Sequence, residues 1–206
     1  MSSIVLSPGA TGAAAFTIEA PSTATSRVIT LPDATDTLVG KATTDTLTNK
    51  SIAATQLTGT VAVARLPTGS VLQVVNATYS TRVTNTTQTN ADSGLTATIT
   101  PSSATSKVLC IVNMAGLYNS AVTNLGHQIQ LIRGSTNIVQ FAAYTNYLGA
   151  GYSLFTHAGT NYLDSPATTS ATTYKVQFCK PDGTVGTISV QQNGDTSTIS
   201  LMEIAA

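Results

Sequence analysis

The stretch SKVLCIVNMAGLY (Ser106–Tyr118) decides how this chain is read. Its centre, KVLCIVNM, is an apolar run of strand length, far short of the ~18–20 residues a membrane span needs. Cys110 within it is most simply a small buried hydrophobe. Similar stretches lie on both sides: SVLQVVNATYS, GLTATITP, GHQIQLIR, TNIVQFAAY, ATTYKVQFC, TVGTISVQQ and STISLMEI. Between them stand turn signals such as NADSG, TPSSATS, IRGSTN, KPDGT and QQNGDTS. Asn, Asp, Gly and Pro at these points tolerate positive φ or preset a turn. Strands at this spacing, with no helix-period segment between them, predict an antiparallel β-sandwich or jelly roll over residues 71–206.

Composition supports an all-β reading. The chain has 206 residues, 42% hydrophobic but only 9% charged, against about 25% charged in ordinary globular proteins. Threonine dominates, a β-branched residue that favours strands and is poor in helices. Formal net charge is zero, which argues against electrostatic nucleic-acid binding. The opening MSSIVLSPGATG lacks the basic start and long apolar core of a signal peptide. We therefore expect synthesis in the cytoplasm and no membrane insertion. Cys110 and Cys179 make no disulfide framework, and the sequence leaves open whether the two are paired.

Ahead of residue 71 the character changes. Of the seven Tyr and four Phe, only Phe16 precedes residue 79. Residues 1–40 hold short β-like pieces: AAAFTIEAP, with Phe16 and Ile18 on one face, and SRVITLPDA, with Ile29 and Leu31 on one side. Pro21 and Pro32 end them. Residues 41–70 follow, with TLTNKSIAATQLTGTVAVARLPTG at their core. Their larger aliphatics are few: Leu47, Ile52, Leu57, Val61, Val63 and Leu66. Ordering a residue costs about 1–2 kcal/mol of backbone entropy, and one buried aliphatic returns only about 1.5–3 kcal/mol. Six such side chains cannot order thirty residues in one copy. Three intertwined copies supply the missing hydrogen-bond partners and apolar neighbours, so residues 41–70 are expected to form an extended trimeric neck. A flexible Thr/Ala linker is the alternative.

Catalytic patterns are absent from the sequence. Glycoside hydrolysis needs paired carboxylates, and the only glutamates are Glu19 and Glu203. Asp33, Asp92, Asp182 and Asp195 read as turn formers, while Asp164 precedes a Ser-Pro. His127 and His157 lie 30 residues apart with no ligand-spaced partner nearby. No nucleophile elbow, phosphate loop, zinc-binding helix or calcium loop occurs. The expectation is a non-enzymatic protein with no catalytic residue, metal or cofactor. The unusual patch is FAAYTNYLGAGYSLFTHAGTNYLD (Phe141–Asp164). Aromatics on loops beside Asn and Thr suit sugar stacking or protein recognition. Tyr144, Tyr147, Tyr152 and His157 are the candidate receptor contacts; the competing reading puts most of these aromatics in a core or trimer interface.

FTIEAPSTATSRVITLPDATDTLVGKATTDTLTNKSI resembles a segment common in bacteriophage tail-fibre and virion-surface proteins, and LTGTVAVARLPTGSVLQVV resembles the neck that follows it. TITPSSATSKVLCIV, LDSPATTSATTYKVQ and STISLMEIAA are similar to the terminal knob of cyanophage-like fibres. The resemblance implies a homotrimer at the virion surface. Its N-terminal part (Phe16, Ile18, Ile29, Leu31) docks on other virion proteins of the tail or capsid. Its C-terminal knob, a jelly roll of the complement or tumour-necrosis-factor type, meets a host glycan or protein. The chain departs from long tail fibres in having little shaft beyond residues 41–70. A capsid-mounted head fibre or cement protein uses the same parts, and a free lectin-like module is a third reading.

Overall fold

Ser106–Tyr118 supplies most of β4 (Lys107–Asn119), the strand around which one sheet is assembled. In this computed structural model the described residues are 51, 59, 61–120, 124–148, 152–183 and 185–206. The expected attachment residues Phe16, Ile18, Ile29 and Leu31, and the neck residues Leu47, Ile52 and Leu57, lie outside them. The chain divides into two units, Met1–Leu57 and Thr58–Ala206, and the second carries everything below.

Nine further strands surround β4: β1 (Val71–Tyr79), β2 (Val83–Asn85), β3 (Ala91–Ile99), β5 (Leu125–Arg133), β6 (Thr136–Leu148), β7 (Leu154–Asp164), β8 (Thr172–Cys179), β9 (Ile188–Val190) and β10 (Ser197–Ile204). Antiparallel pairs are nested: β5 with β6, β4 with β7, β3 with β8, and β1 with β10. Cross-pairing of β10 with β4 and of β5 with β8 rolls this ribbon into two sheets. Sheet I runs β1-β10-β4-β7 and sheet II runs β3-β8-β5-β6, with short β9 and β2 continuing sheet I past the far end of β4. This is the antiparallel jelly roll, in which alternate pairs of one long hairpin fall in alternate layers.

Period-two patterning places the core between the layers. In β3, Leu95, Ala97 and Ile99 face in while Thr96 and Thr98 face out. In β10, Ile199 and Leu201 are buried on the inner side. Val108, Cys110, Val112 and Met114 of β4 meet Ile129, Leu131, Tyr174, Val176 and Phe178 from sheet II. Cys110 and Cys179 are both buried free thiols. Burial, then the nearby Asp164 charge, pushes the Cys110 thiol up to about 12, so it behaves as the small hydrophobe expected of it.

His127 sits in this core, with no accessible surface. Its Nε2 donates to the Ser189 carbonyl at 3.0 Å. Desolvation lowers its pKa to about 4, outweighing the backbone hydrogen bond to Ser189. A group with a depressed folded-state pKa of this kind binds its proton first in the unfolded chain. The His127 contribution to stability is therefore flat above pH 6.5 and falls as pH drops from there toward 4, by up to about 1.4 kcal/mol per pH unit. Urea unfolding of the full chain from pH 7.5 to 4.5 is expected to lose about 2–3 kcal/mol, and His127→Gln should flatten that slope. An equal slope in the variant would remove His127 as the cause.

Three local results differ from the sequence reading. Two strands were not anticipated, the short β2 and the eleven-residue β7. Asp92 lies in β3 rather than in a turn, paired with Lys175 at 2.9 Å. Val63–Arg65, expected to be extended, form a 3-10 turn in which Arg65 N donates to Ala62 O at 2.8 Å. A lone strand has no partner there for its backbone groups, so they close a local turn instead. Extension resumes at Leu66, as a residue before proline requires. The chain then joins sheet I, with Gly69 N donating to Ala205 O at 2.8 Å and Ala205 N donating to Ser70 O at 2.9 Å.

Candidate functional site

Strand register fixes two ends of the sandwich. Val71 pairs with Ile204, Ile204 with Lys107, and the next residue, Val108, with Asp164. This is the end at which the neck residues Val61–Ser70 lead in. At the opposite end Asn119 pairs with Leu154 and Ile188. β6 ends at Leu148 and β7 begins at Leu154 toward that far end, so Tyr144, Tyr152, Phe155 and His157 lie away from the neck, while Asp164, the last residue of the predicted patch, is at the neck end.

Within the patch the side chains divide. Phe141 and Tyr162 are partly buried against the core. Tyr144 (51% exposed), Tyr152 (70%) and Phe155 (51%) stand out in solvent. Tyr147 lies in β6, and its side chain is outside the described residues. His157 is exposed on β7, two residues beyond Phe155 on the same outer face of sheet I. Phe155 stacks on Tyr118 of β4, ring centroids 5.0 Å apart at 45°, and the Tyr118 and Ser153 hydroxyls are 3.3 Å apart. The loop reading of the patch is thus corrected. Most of it is strand, because β7 alternates: Leu154, Thr156, Ala158, Thr160 and Tyr162 turn inward and the residues between them outward. Gly and Asn obscured that alternation. The contact between Tyr118 and Phe155 was not foreseen; they are cross-strand partners, a relation that only register reveals.

Val61 (54%), Val63 (44%) and Leu66 (37%), the described neck residues, are exposed in the single chain. A cleft between their turn and the loop after β3 is lined by Val63, Leu66, Leu72, Ser102 and Ser106.

Among the described residues, Asp164 and Glu203 are occupied with structure. Asp164 accepts from Arg133 Nη1 at 2.8 Å through both oxygens and from the Tyr174 hydroxyl at 2.7 Å. Burial and this hydrogen bond raise the Tyr174 pKa. Glu203, buried at the neck end, accepts from Gln73 Nε2 at 2.6 Å and from Ser102 N and Oγ at 2.7 Å each. Burial pushes its carboxyl up, but these hydrogen bonds outweigh it and hold the pKa below the usual value. Among the described residues no three His, Cys, Asp or Glu side chains are grouped where they could hold a metal ion. Nor is any helix among them long and apolar enough to cross a membrane.

No protein-family profile and no curated protein sequence matches the chain. Among solved structures it is similar to the VP2 subviral particle of infectious bursal disease virus, at 14% identity and a TM-score of 0.35, over 66% of this chain and 38% of that one. The T=1 particles derived from the same virus give 13% identity and a TM-score of 0.37, over 66% and 37%. The match spans less than two-fifths of those chains, and the jelly-roll assignment stands on the nested strand pairing itself.

Proposed function

We propose that this chain is a non-enzymatic bacteriophage virion protein: a short homotrimeric fibre or spike, mounted by its N-terminal part, whose knob contacts the host surface. The observation that carries the reading is the placement of Tyr144, Tyr152, Phe155 and His157. These exposed residues gather at the end of the sandwich opposite the point where the neck joins it. Rigid aromatics standing on strand ends lose little conformational freedom on contact and suit either a sugar face or a protein. The order of the fibre-like motifs supports a virion setting, and Asp164 and Glu203, tied up in structural hydrogen bonds, are in keeping with a role in binding.

The test uses full-length protein and the phage that encodes it. Antibody labelling of purified particles should place the chain on the virion, and free protein should compete with the phage for adsorption to its host. Tyr152→Ala with Phe155→Ala should weaken competition about tenfold or more, as loss of a contact anchor does. Gln140→Ala on sheet II should leave it unchanged. Particles without the chain, or equal competition by the aromatic variant, would refute the reading. Copies per particle distinguish the alternative reading, a capsid decoration protein: hundreds signify decoration, a few to a few tens a tail fibre.

A further inference from the structure

The sequence holds one Asn-Gly pair, Asn193–Gly194, and it falls in the turn between β9 and β10. Both residues are exposed and left-handed, with φ of 61° at Asn193 and 82° at Gly194. Among the described residues, the Asn193 side chain is held by one long bond, Gln192 Nε2 donating to its Oδ1 at 3.4 Å. The next main-chain nitrogen, Gly194 N, donates to Gln191 O at 3.3 Å, also long. Asn193 ψ is 16°, so Gly194 N reaches the carboxamide carbon only after the peptide between them rotates. Nothing lies within 4 Å of where a Gly194 Cβ would stand, which leaves room for that rotation. No other asparagine is followed by glycine. Several are also fastened. Asn119 is buried, its Nδ2 donating to Leu125 O at 3.1 Å and its Oδ1 accepting from Leu154 N at 3.2 Å. Asn85 Nδ2 donates to Thr89 O at 2.9 Å and to Phe178 O at 3.0 Å.

We infer that Asn193 is a self-modification site, converted through its own neighbour into aspartate and isoaspartate. Gly194 N bonds to Asn193 Cγ and the Cγ–Nδ2 bond breaks. Nδ2 leaves as ammonia, taking up the proton that Gly194 N gives away, and a succinimide ring remains. Solvent water then adds to one of the two ring carbonyls and the ring opens. Opening at Cγ gives aspartate, and opening at the main-chain carbonyl gives isoaspartate. Asparagine and water become an acidic residue and ammonia, with nothing oxidised or reduced. Glycine suits the step because no β-carbon screens its nitrogen or restricts its rotation. The consequence follows from what the turn rests on. A Cβ at Gly116 would stand 2.5 Å from Gln192 N and 2.9 Å from Gln192 O, so the turn lies directly on β4. Isoaspartate routes the main chain through Cβ and Cγ. That adds a carbon to a turn which Gln191 N ties to Ala115 O at 3.0 Å and Asp195 N closes onto Gln192 O at 3.2 Å. The new carboxylate also joins Asp195 in a chain of zero net charge. Conversion therefore makes the protein acidic and loosens the turn from β4.

The test ages full-length folded protein in mildly alkaline buffer, beside a free peptide of residues Gln191–Thr196 as the unstructured reference. Tandem mass spectrometry should find a gain of about one dalton at 193 in the folded chain. That gain should build up at least about tenfold faster than at any other asparagine. Isoaspartyl methyltransferase should label aged protein and not fresh protein, and Asn193→Gln should remove both signals. Aged protein should melt about 3–8 °C below fresh protein. Asn193→Asp adds the charge but keeps the main chain intact, and should melt within about 2 °C of the unaged chain. A folded chain that stays unmodified at 193 while the peptide converts overturns the inference. Conversion without any fall in melting temperature overturns the coupling of the site to the β4 contact.

Discussion

Gly116→Ala should cost about 2–5 kcal/mol and lower the melting temperature by on the order of 10 °C. Gly116 lies in β4 at the bulge between Met114 and Leu117, with φ +59°. The bulge exists because two strands share one edge of β4: β10 pairs with its first half, and β9 with Tyr118 and Asn119. The turn Gln192–Gly194 between β9 and β10 must sit against the break. It is held there by Gln191 N donating to Ala115 O and Ala115 N donating to Ser197 Oγ, both at 3.0 Å. A Cβ at 116 would stand 2.5 Å from Gln192 N and 2.9 Å from both Gln192 O and Asp195 Cβ. Main-chain atoms in a hydrogen-bonded turn cannot yield as a flexible side chain would. Left-handed strain adds about 1–2 kcal/mol to the overpacking. Gly134 supplies the control, since its φ is also +59° but nothing lies within 4 Å of a Cβ there. Gly134→Ala should show the backbone cost alone, about 1–2 kcal/mol. Equal losses in thermal melts of the two variants would show that the contact with the turn is unimportant.

Asp164→Ala should lose about 2–4 kcal/mol, a fall of roughly 5–15 °C in melting temperature. Asp164 closes β7 in sheet I, while its partners Arg133 and Tyr174 belong to β5 and β8 of sheet II. The cluster clasps the two layers at the neck end. Removing the carboxylate leaves the buried Tyr174 hydroxyl unsatisfied and a partly buried guanidinium, 29% exposed, without its counter-charge. Such orphaned groups cost more than the intact pair contributes. Asp92→Asn is the comparison. Its pair with Lys175 has similar geometry, but the Asp92 side chain is 56% exposed, so less than about 1 kcal/mol should be lost. Unfolding curves for both variants decide the matter, and a loss at Asp164 no larger than at Asp92 would mean the clasp is ornamental.

The sequence determined the material of the fold. Apolar runs of strand length separated by Gly, Asn, Asp and Pro predict strands over residues 71–206 and identify eight of the ten strands among the described residues, because alternation and turn chemistry are local properties. It also identified Cys110 as a core hydrophobe and the patch in which Tyr144 and Tyr152 are exposed. β7 stayed hidden because its outward positions include Gly159 and Asn161, and its inward ones Thr156 and Thr160, so hydrophobicity does not report its period. Tertiary structure alone decided which strands are neighbours, and with that the functional geometry. Pairing register is a long-range property, so only the folded chain could join Phe155 to Tyr118, draw Asp164 to Arg133, and set the Gln192–Gly194 turn against Gly116. Those residues stand far apart in the sequence, and no local pattern connects them.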